Sequence, residues 1–404
     1  MADLHQTGVI TTFHRFGATD VDRIEKELAV FNRHNPIALV LPITPTEMGS
    51  PAIRGIMHNL KEVRYLNEIV ITLGRTDDPS HFRQAKSFFS ALPQRHRIIW
   101  ASGPSFNGLY KTLEEHGLSA GGDGKGRSAW TAYGYILSRE ESKVIALHDC
   151  DIVNHSRELL ARLCYPVASP AMDHAFCKGY YARVTERMHG RVTRLFVTPV
   201  IRSLIRLLGH LPFLVYLDSF RYPLAGEFSM MTELARVNRI PSDWGLEVET
   251  LAEVYRNYSL KRICQAELCE TYEHKHQVLS ADNPQTGLMK MAVDIAKSIF
   301  RNLAVEGIIF SDSALRALVM NYLRTAKDMV SRHGDDAAIN GLKFDVHQEA
   351  LMVEAFTRAL QMAGQDFMDN PLYSPLIPSW NRVASAVPGL IDRLREAVEE
   401  ENKV

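Results

Sequence analysis

VIALHDCD, residues 144–151, runs an apolar tetrad (Val144, Ile145, Ala146, Leu147) through His148 into Asp149-Cys150-Asp151. A short apolar run without polar alternation predicts a strand buried on both faces, here over 143–147. Three earlier runs of the same kind lie at 37–43, 68–73 and 97–101. Between the four, helical spacing recurs at 53–63, 81–92 and 127–137. Strands alternating with helices predict right-handed βαβ units and a mostly parallel sheet. Ligands of such sheets bind beyond the carboxyl ends of the strands, which places the functional loops after Leu41, Thr72, Ala101 and Leu147.

The proportions of the whole chain suit an α/β protein of this kind. It has 404 residues, 46% of them hydrophobic, with 46 Lys+Arg against 47 Asp+Glu. A net charge of −1 gives no electrostatic footprint for nucleic acid, so none is expected as a partner. The five cysteines (Cys150, Cys164, Cys177, Cys264, Cys269) form no C-x-x-C pair and are expected to be reduced thiols in a cytoplasmic protein. The N-terminus shows no leader pattern. The most apolar stretch, 204–220, is interrupted by Arg206, His210, Pro212 and Asp218, so no membrane span is expected.

Four regions are predicted. Residues 1–35 form an N-terminal helical segment, and 36–151 the nucleotide-binding α/β half. Residues 152–284 form a second half, with strand-like runs at 175–184 and 263–272 and a helical stretch at 195–208. Residues 285–404 form a helical extension with amphipathic patterns at 289–303, 313–330, 348–363 and 390–399, packed on the core or pairing two chains. A homodimer is the expected assembly. The methionines of the extension (Met289, Met291, Met320, Met329, Met352, Met362) read as core filler rather than a cofactor box.

Asp149 and Asp151, at i and i+2 of an extended backbone, project to one side and can share a hard divalent cation, Mg²⁺ or Mn²⁺, which would bridge a nucleotide diphosphate. A second D-x-D, Asp20-Val21-Asp22, reads as the cap of the first helix. GGDGKGRSAW, 121–130, opens a helix with glycines that let amides approach an anion and with Lys125 to neutralise a phosphate. It is not a P-loop, because the G-x-x-x-x-G-K-[ST] spacing fails. Gly190-Arg191-Val192-Thr193, beside Arg187 and Arg194, suits a phosphorylated or carboxylated small acid, and equally a helix start with solvated arginines. PLAGE (223–227) and DWGLEVE (243–249) offer acids that could contact a sugar hydroxyl or merely cap helices. EHKH (273–276) aligns His274 and His276 as potential metal ligands.

Taken in order, LPIT, ITLGRTDD, GKGRSAW, DCD, GRVT, PLAGE, GLEVE and EHKH resemble the retaining nucleotide-sugar glycosyltransferases of the GT-A fold, first the glucosyl-3-phosphoglycerate synthases and second the mannosyl-3-phosphoglycerate synthases. The resemblance spans about residues 37 to 280. It implies a donor site of Pro42, Ile43, Thr44, Glu47, Gly74, Lys125 and Asp149, with the Thr76-Asp77-Asp78 turn in the second nucleotide loop. It implies metal ligands Asp149, Asp151 and His274, and an acceptor site of Gly190, Arg191, Val192, Thr193 and His276, where His274 and His276 could exchange roles. Glu247, Asp151 and Lys125 are the implied catalytic set.

The implied reaction moves glucose from UDP- or GDP-glucose to the 2-hydroxyl of 3-phospho-D-glycerate, making the precursor of the compatible solute glucosylglycerate. GDP-mannose as donor is the first alternative. A sugar nucleotidyltransferase is a further one, but such enzymes carry a Gly-rich loop with Arg after the first strand, and here that position holds Thr44-Pro45-Thr46-Glu47. A degenerate GT-A domain serving assembly would require a broken metal site.

Overall fold

The fold is that of a computed structural model, which describes residue 6 and residues 8–273, 287–372 and 376–403. Eight strands form one sheet: β1 (Thr11–Phe13), β2 (Ile37–Ile43), β3 (Glu68–Leu73), β4 (His96–Trp100), β5 (Val144–Leu147), β6 (Phe176–Ala182), β7 (Phe228–Met231) and β8 (Ile263–Thr271). Their order is β1-β8-β6-β7-β5-β2-β3-β4. Every pairing is parallel except those of β7, which runs antiparallel to both β5 and β6. β2, β3 and β5 are almost wholly buried along their length, which accounts for their unalternating sequences.

The predicted 1–35 helical segment holds a helix, Val21–Phe31, but also the strand β1, whose three residues are too few to leave a pattern. Asp20 accepts the N–H of Arg23 at 3.0 Å, so the first D-x-D does cap that helix.

Two apolar clusters cover the two faces of the sheet. One extends without a break from the strands into the C-terminal helices Gly287–Val305, Asp312–Ile339 and Val346–Asp369. Trp130 and Trp380 stack across this junction with ring centroids 4.0 Å apart, and the Trp380 indole N–H donates to the Trp130 carbonyl at 2.9 Å. At the sheet edge the side chain of Asn402 accepts from the N–H of Ile98 and donates to its carbonyl, satisfying β4 as a neighbouring strand would. The methionine reading needs two corrections: Met320 is 67% exposed, and Met291 faces the cleft described next rather than serving only as filler. Among the described residues no helix is long and apolar enough to cross a membrane.

Candidate functional site

At the carboxyl end of β2, β3 and β5 lies a cleft of about 810 Å³. The sheet delivers Pro42, Ile43, Thr44 and Glu47 after β2, Gly74 after β3, and Asp149 and Asp151 after β5. Lys125 joins them from the first turn of the helix Lys125–Arg139, which has no side-chain cap, so its first amides are available to an anion. Gly190, Arg191, Val192 and Thr193 line the same space, with Arg183, Arg187 and His189. Glu247 comes from the helix Leu246–Asn257. His274 and His276 lie outside the described residues.

Lys125 is the centre of charge in the cleft. Its Nζ is 2.5 Å from Asp149 Oδ1 and 3.3 Å from Glu247 Oε1. Burial pulls its pKa down, but the Asp149 and Glu247 carboxylates outweigh burial and hold the ammonium firmly charged. The turn below it leaves no slack. A Cβ on Gly226 would fall 2.3 Å from Asp149 Oδ2 and 2.7 Å from Lys125 Nζ, so a side chain on the PLAGE turn would push this pair out of place.

Glu47 accepts the N–H of Thr44 at 2.7 Å. Its pKa is raised by burial first, and further by the nearby Asp151 and Asp149 carboxylates. Carboxylates crowded this way at a strand end are a donor set of hard oxygens seeking a cation. Cys150, between the two aspartates, is buried in the core on one face of the sheet. Among the described residues no three His, Cys, Asp or Glu side chains converge in a way that could hold a metal ion. Asp149 and Asp151 therefore fit an ion that takes further ligands from a bound diphosphate or from residues outside the described set.

The structure adds a packing role to the glycine-rich loop. A Cβ on Gly124 would meet the Ser242 carbonyl at 2.6 Å, and one on Gly126 the Pro241 carbonyl at 2.0 Å. These glycines serve close packing on residues 241–242 as well as any approach to an anion. Asp123 ties the loop to the ends of β3 and β4, accepting from the N–H of Arg75 at 2.9 Å and from the Ser102 hydroxyl at 2.6 Å. The Thr76-Asp77-Asp78 turn lies outside the cleft lining. Asp78 caps the helix Pro79–Phe89, accepting from Ser80 N–H at 2.7 Å. Glu249 is likewise structural: it accepts from Ser298, Arg301 and Asn302, fastening its helix to Gly287–Val305.

Two features, Arg183 and Lys178, were not legible as site residues, and Glu227 was legible only as the acid of the PLAGE turn that could contact a sugar hydroxyl or cap a helix. Arg183 donates to the Tyr222 hydroxyl at 3.1 Å beside Gly190, whose φ of +68° calls for glycine. Glu227 is wholly buried and accepts from the Tyr181 and Tyr272 hydroxyls, each at 2.6 Å. Lys178, on β6, is wholly buried with no hydrogen-bond partner for Nζ among the described residues. Its Nζ lies 5.7 Å from the Phe228 ring centroid. Burial lowers its pKa to about 8, against the pull of Glu247. It places positive potential behind the carboxylates of the cleft. A lysine inside a strand pattern reads as a solvated position, which is why the sequence conceals it.

No family model matches the chain. It is 48% identical to the glucosyl-3-phosphoglycerate synthase of Persephonella marina over 402 residues, covering 100% of this chain and 99% of that one. It is 38% identical to the glucosyl-3-phosphoglycerate synthase of Methanococcoides burtonii, covering 96% and 95%. Its fold is similar to that of the glucosyl-3-phosphoglycerate synthase of Mycobacterium tuberculosis, solved with Mn²⁺, UDP-glucose and phosphoglyceric acid, at a TM-score of 0.53 and 20% identity over 75% of this chain and 89% of that one. The mannosyl-3-phosphoglycerate synthase of Rubrobacter xylanophilus is similar at a TM-score of 0.53 and 20% identity, over 75% and 83%. The architecture is the GT-A fold with helices at the C-terminus.

Proposed function

The chain belongs to the glucosyl-3-phosphoglycerate synthases, a family of glycosyltransferases, and from that premise we propose that it moves glucose from an NDP-glucose to the 2-hydroxyl of 3-phospho-D-glycerate. One observation carries the reading. A single cleft is lined both by Asp149, Asp151 and Lys125, suited to a cation and a diphosphate, and by Arg183, Arg187 and Arg191, suited to a small phosphorylated acid. Its volume of about 810 Å³ is ample for a nucleotide sugar.

Pro42, Ile43, Thr44, Glu47 and Gly74 receive the nucleotide. Asp149 and Asp151, with His274 as a further ligand, would hold Mg²⁺ or Mn²⁺, which when bound neutralises diphosphate charge as a Lewis acid. As the C1–O bond of the donor breaks, the electron pair leaves on the diphosphate, where Lys125 meets the growing charge. The acceptor 2-hydroxyl forms the new bond to C1 from the same face, with retention, and its proton passes to the departing diphosphate. Glu247, 3.3 Å from Lys125, orients hydroxyl groups at the sugar and acceptor. Gly190, Arg191, Val192 and Thr193, with His276, bind the phosphate and carboxylate of the acceptor. The product, glucosyl-3-phosphoglycerate, would be the precursor of glucosylglycerate.

The direct test offers UDP-glucose, GDP-glucose and GDP-mannose, each with 3-phosphoglycerate and Mg²⁺. A phosphorylated glucoside is the expected product; a mannoside alone would make the chain a mannosyl enzyme, and the absence of either would overturn the proposal. Arg191→Ala is expected to raise the acceptor KM by about 10²-fold, the loss of a charge-assisted pair worth about 1.5–3 kcal/mol, with the donor KM within about threefold. Equal changes in both constants would remove Arg191 from the acceptor site.

A further inference from the structure

Residues 183–194, which carry the arginines of the cleft, are gripped from outside the sheet by the helix Val346–Asp369 and the connection that precedes it. The N–H of Lys343 donates to the Glu186 carbonyl at 2.8 Å, and its ammonium pairs with the Glu186 carboxylate at 2.5 Å. The Phe344 ring lies 5.9 Å from the Arg194 guanidinium. One turn into the helix Val346–Asp369 sits Glu349, only 4% exposed. Its Oε1 is 3.3 Å from Arg191 Nε and its Oε2 is 2.5 Å from Arg194 Nη1.

This carboxylate joins two guanidiniums of different standing. The Arg194 side chain is 11% exposed and serves as the anchor. The Arg191 side chain is 38% exposed and lines the cleft. Because Glu349 engages Arg191 through Nε, both Nη groups remain for a ligand, and the plane in which they lie is fixed from behind. A planar donor fork held in advance loses less freedom when it meets a phosphate or carboxylate.

We infer that Glu349 is a positioning residue of the acceptor site, holding the Arg191 guanidinium so that its Nη edge meets the acceptor anion, and that the C-terminal helices are thereby part of that site. The inference rests on the reading of residues 190–193 as the acceptor loop. It has a sign that a simple charge effect lacks. Glu349 is negative and lies close to where an anion binds, so deleting its charge without a positioning role would tighten acceptor binding. Loss of positioning weakens it.

Glu349→Gln is expected to raise the acceptor KM about tenfold, with the donor KM within about twofold, and Glu349→Asp to recover part of the loss. In an Arg191→Ala background Glu349→Gln is expected to raise the acceptor KM no further, since both changes disable one group, and the lost negative charge can only lower it. Removing one partner of a buried ion pair is destabilising, so the constants are measured well below the melting temperature of each variant. Should Glu349→Gln fail to fold, the Glu349→Asp variant alone, with and without Arg191→Ala, carries the cycle. A fall in acceptor KM, parallel rises in both KM values, or additive effects in the double variant would overturn the inference. If Arg191→Ala itself leaves the acceptor KM unchanged, the acceptor reading fails; if it raises the KM and the Glu349 variants do not, only the inference fails.

Discussion

Asp151→Ala is expected to lower turnover by roughly 10³-fold or more while leaving the melting temperature within a few degrees of the parent chain. Losing a cation ligand removes several kcal/mol of stabilisation of charge on the diphosphate, and about 1.4 kcal/mol is a factor of ten in rate. The fold is not at stake, because Asp151 lies in the loop after β5, at the cleft rather than in either apolar cluster. Titration of Mg²⁺ in the assay supplies the second readout: the half-saturating concentration should climb steeply, and excess metal should restore only part of the rate. The chain carries its own control. Asp20→Ala alters the other D-x-D, where the side chain caps a helix, so it should cost about 1 kcal/mol of stability and leave the metal dependence untouched. If Asp151→Ala retains parental turnover, the cation has no place between these two side chains.

That contrast between two identical tripeptide patterns explains what was readable from the sequence. β2 and β3 were predicted to the residue because strands buried on both faces write their burial as unbroken apolar runs. The strand-end rule then places Asp149 and Asp151 at the ligand-binding end of the sheet, where both line the cleft. The helix Leu246–Asn257 went unread for the opposite reason. Its buried face holds Glu247, Glu249 and Glu253, acids that are satisfied by Lys125, Ser298, Arg301, Arg256 and Arg239 rather than by water, so its hydrophobic period is broken. β7 is Ser- and Met-rich and short, and it runs antiparallel in a sheet whose pattern predicts parallel strands. Glu349 was beyond reach altogether. It stands 158 residues from Arg191, on a helix whose spacing reports only its packing. Sequence pattern encodes burial and local geometry; it does not encode which distant charge a half-buried arginine finds.

The same limit applies to Lys125, where the sequence suggested a phosphate contact and the structure adds the two carboxylates that hold it. Lys125→Ala is expected to lower kcat by about 10²- to 10³-fold, the cost of removing one preorganised donor aimed at developing charge, with the donor KM changed by no more than about fivefold. The asymmetry follows from when the interaction matters. The ground-state diphosphate already carries charge that a cation can meet, whereas in the proposed mechanism the charge added as C1–O breaks falls to the ammonium. Lys125→Arg should not rescue turnover. Lys125 meets Asp149 and Glu247 as a compact ammonium, and a guanidinium, a planar fork on a longer stem, cannot place one charge at the same point. The alanine variant also leaves Asp149 and Glu247 without the cation between them, so part of its loss is misdirection of those carboxylates. Single-turnover measurements separate the two contributions from binding: a slowed chemical step at saturating donor is the expected result. A donor KM raised by two orders of magnitude with an unchanged chemical step would make Lys125 a binding group and leave the departing diphosphate to be stabilised elsewhere.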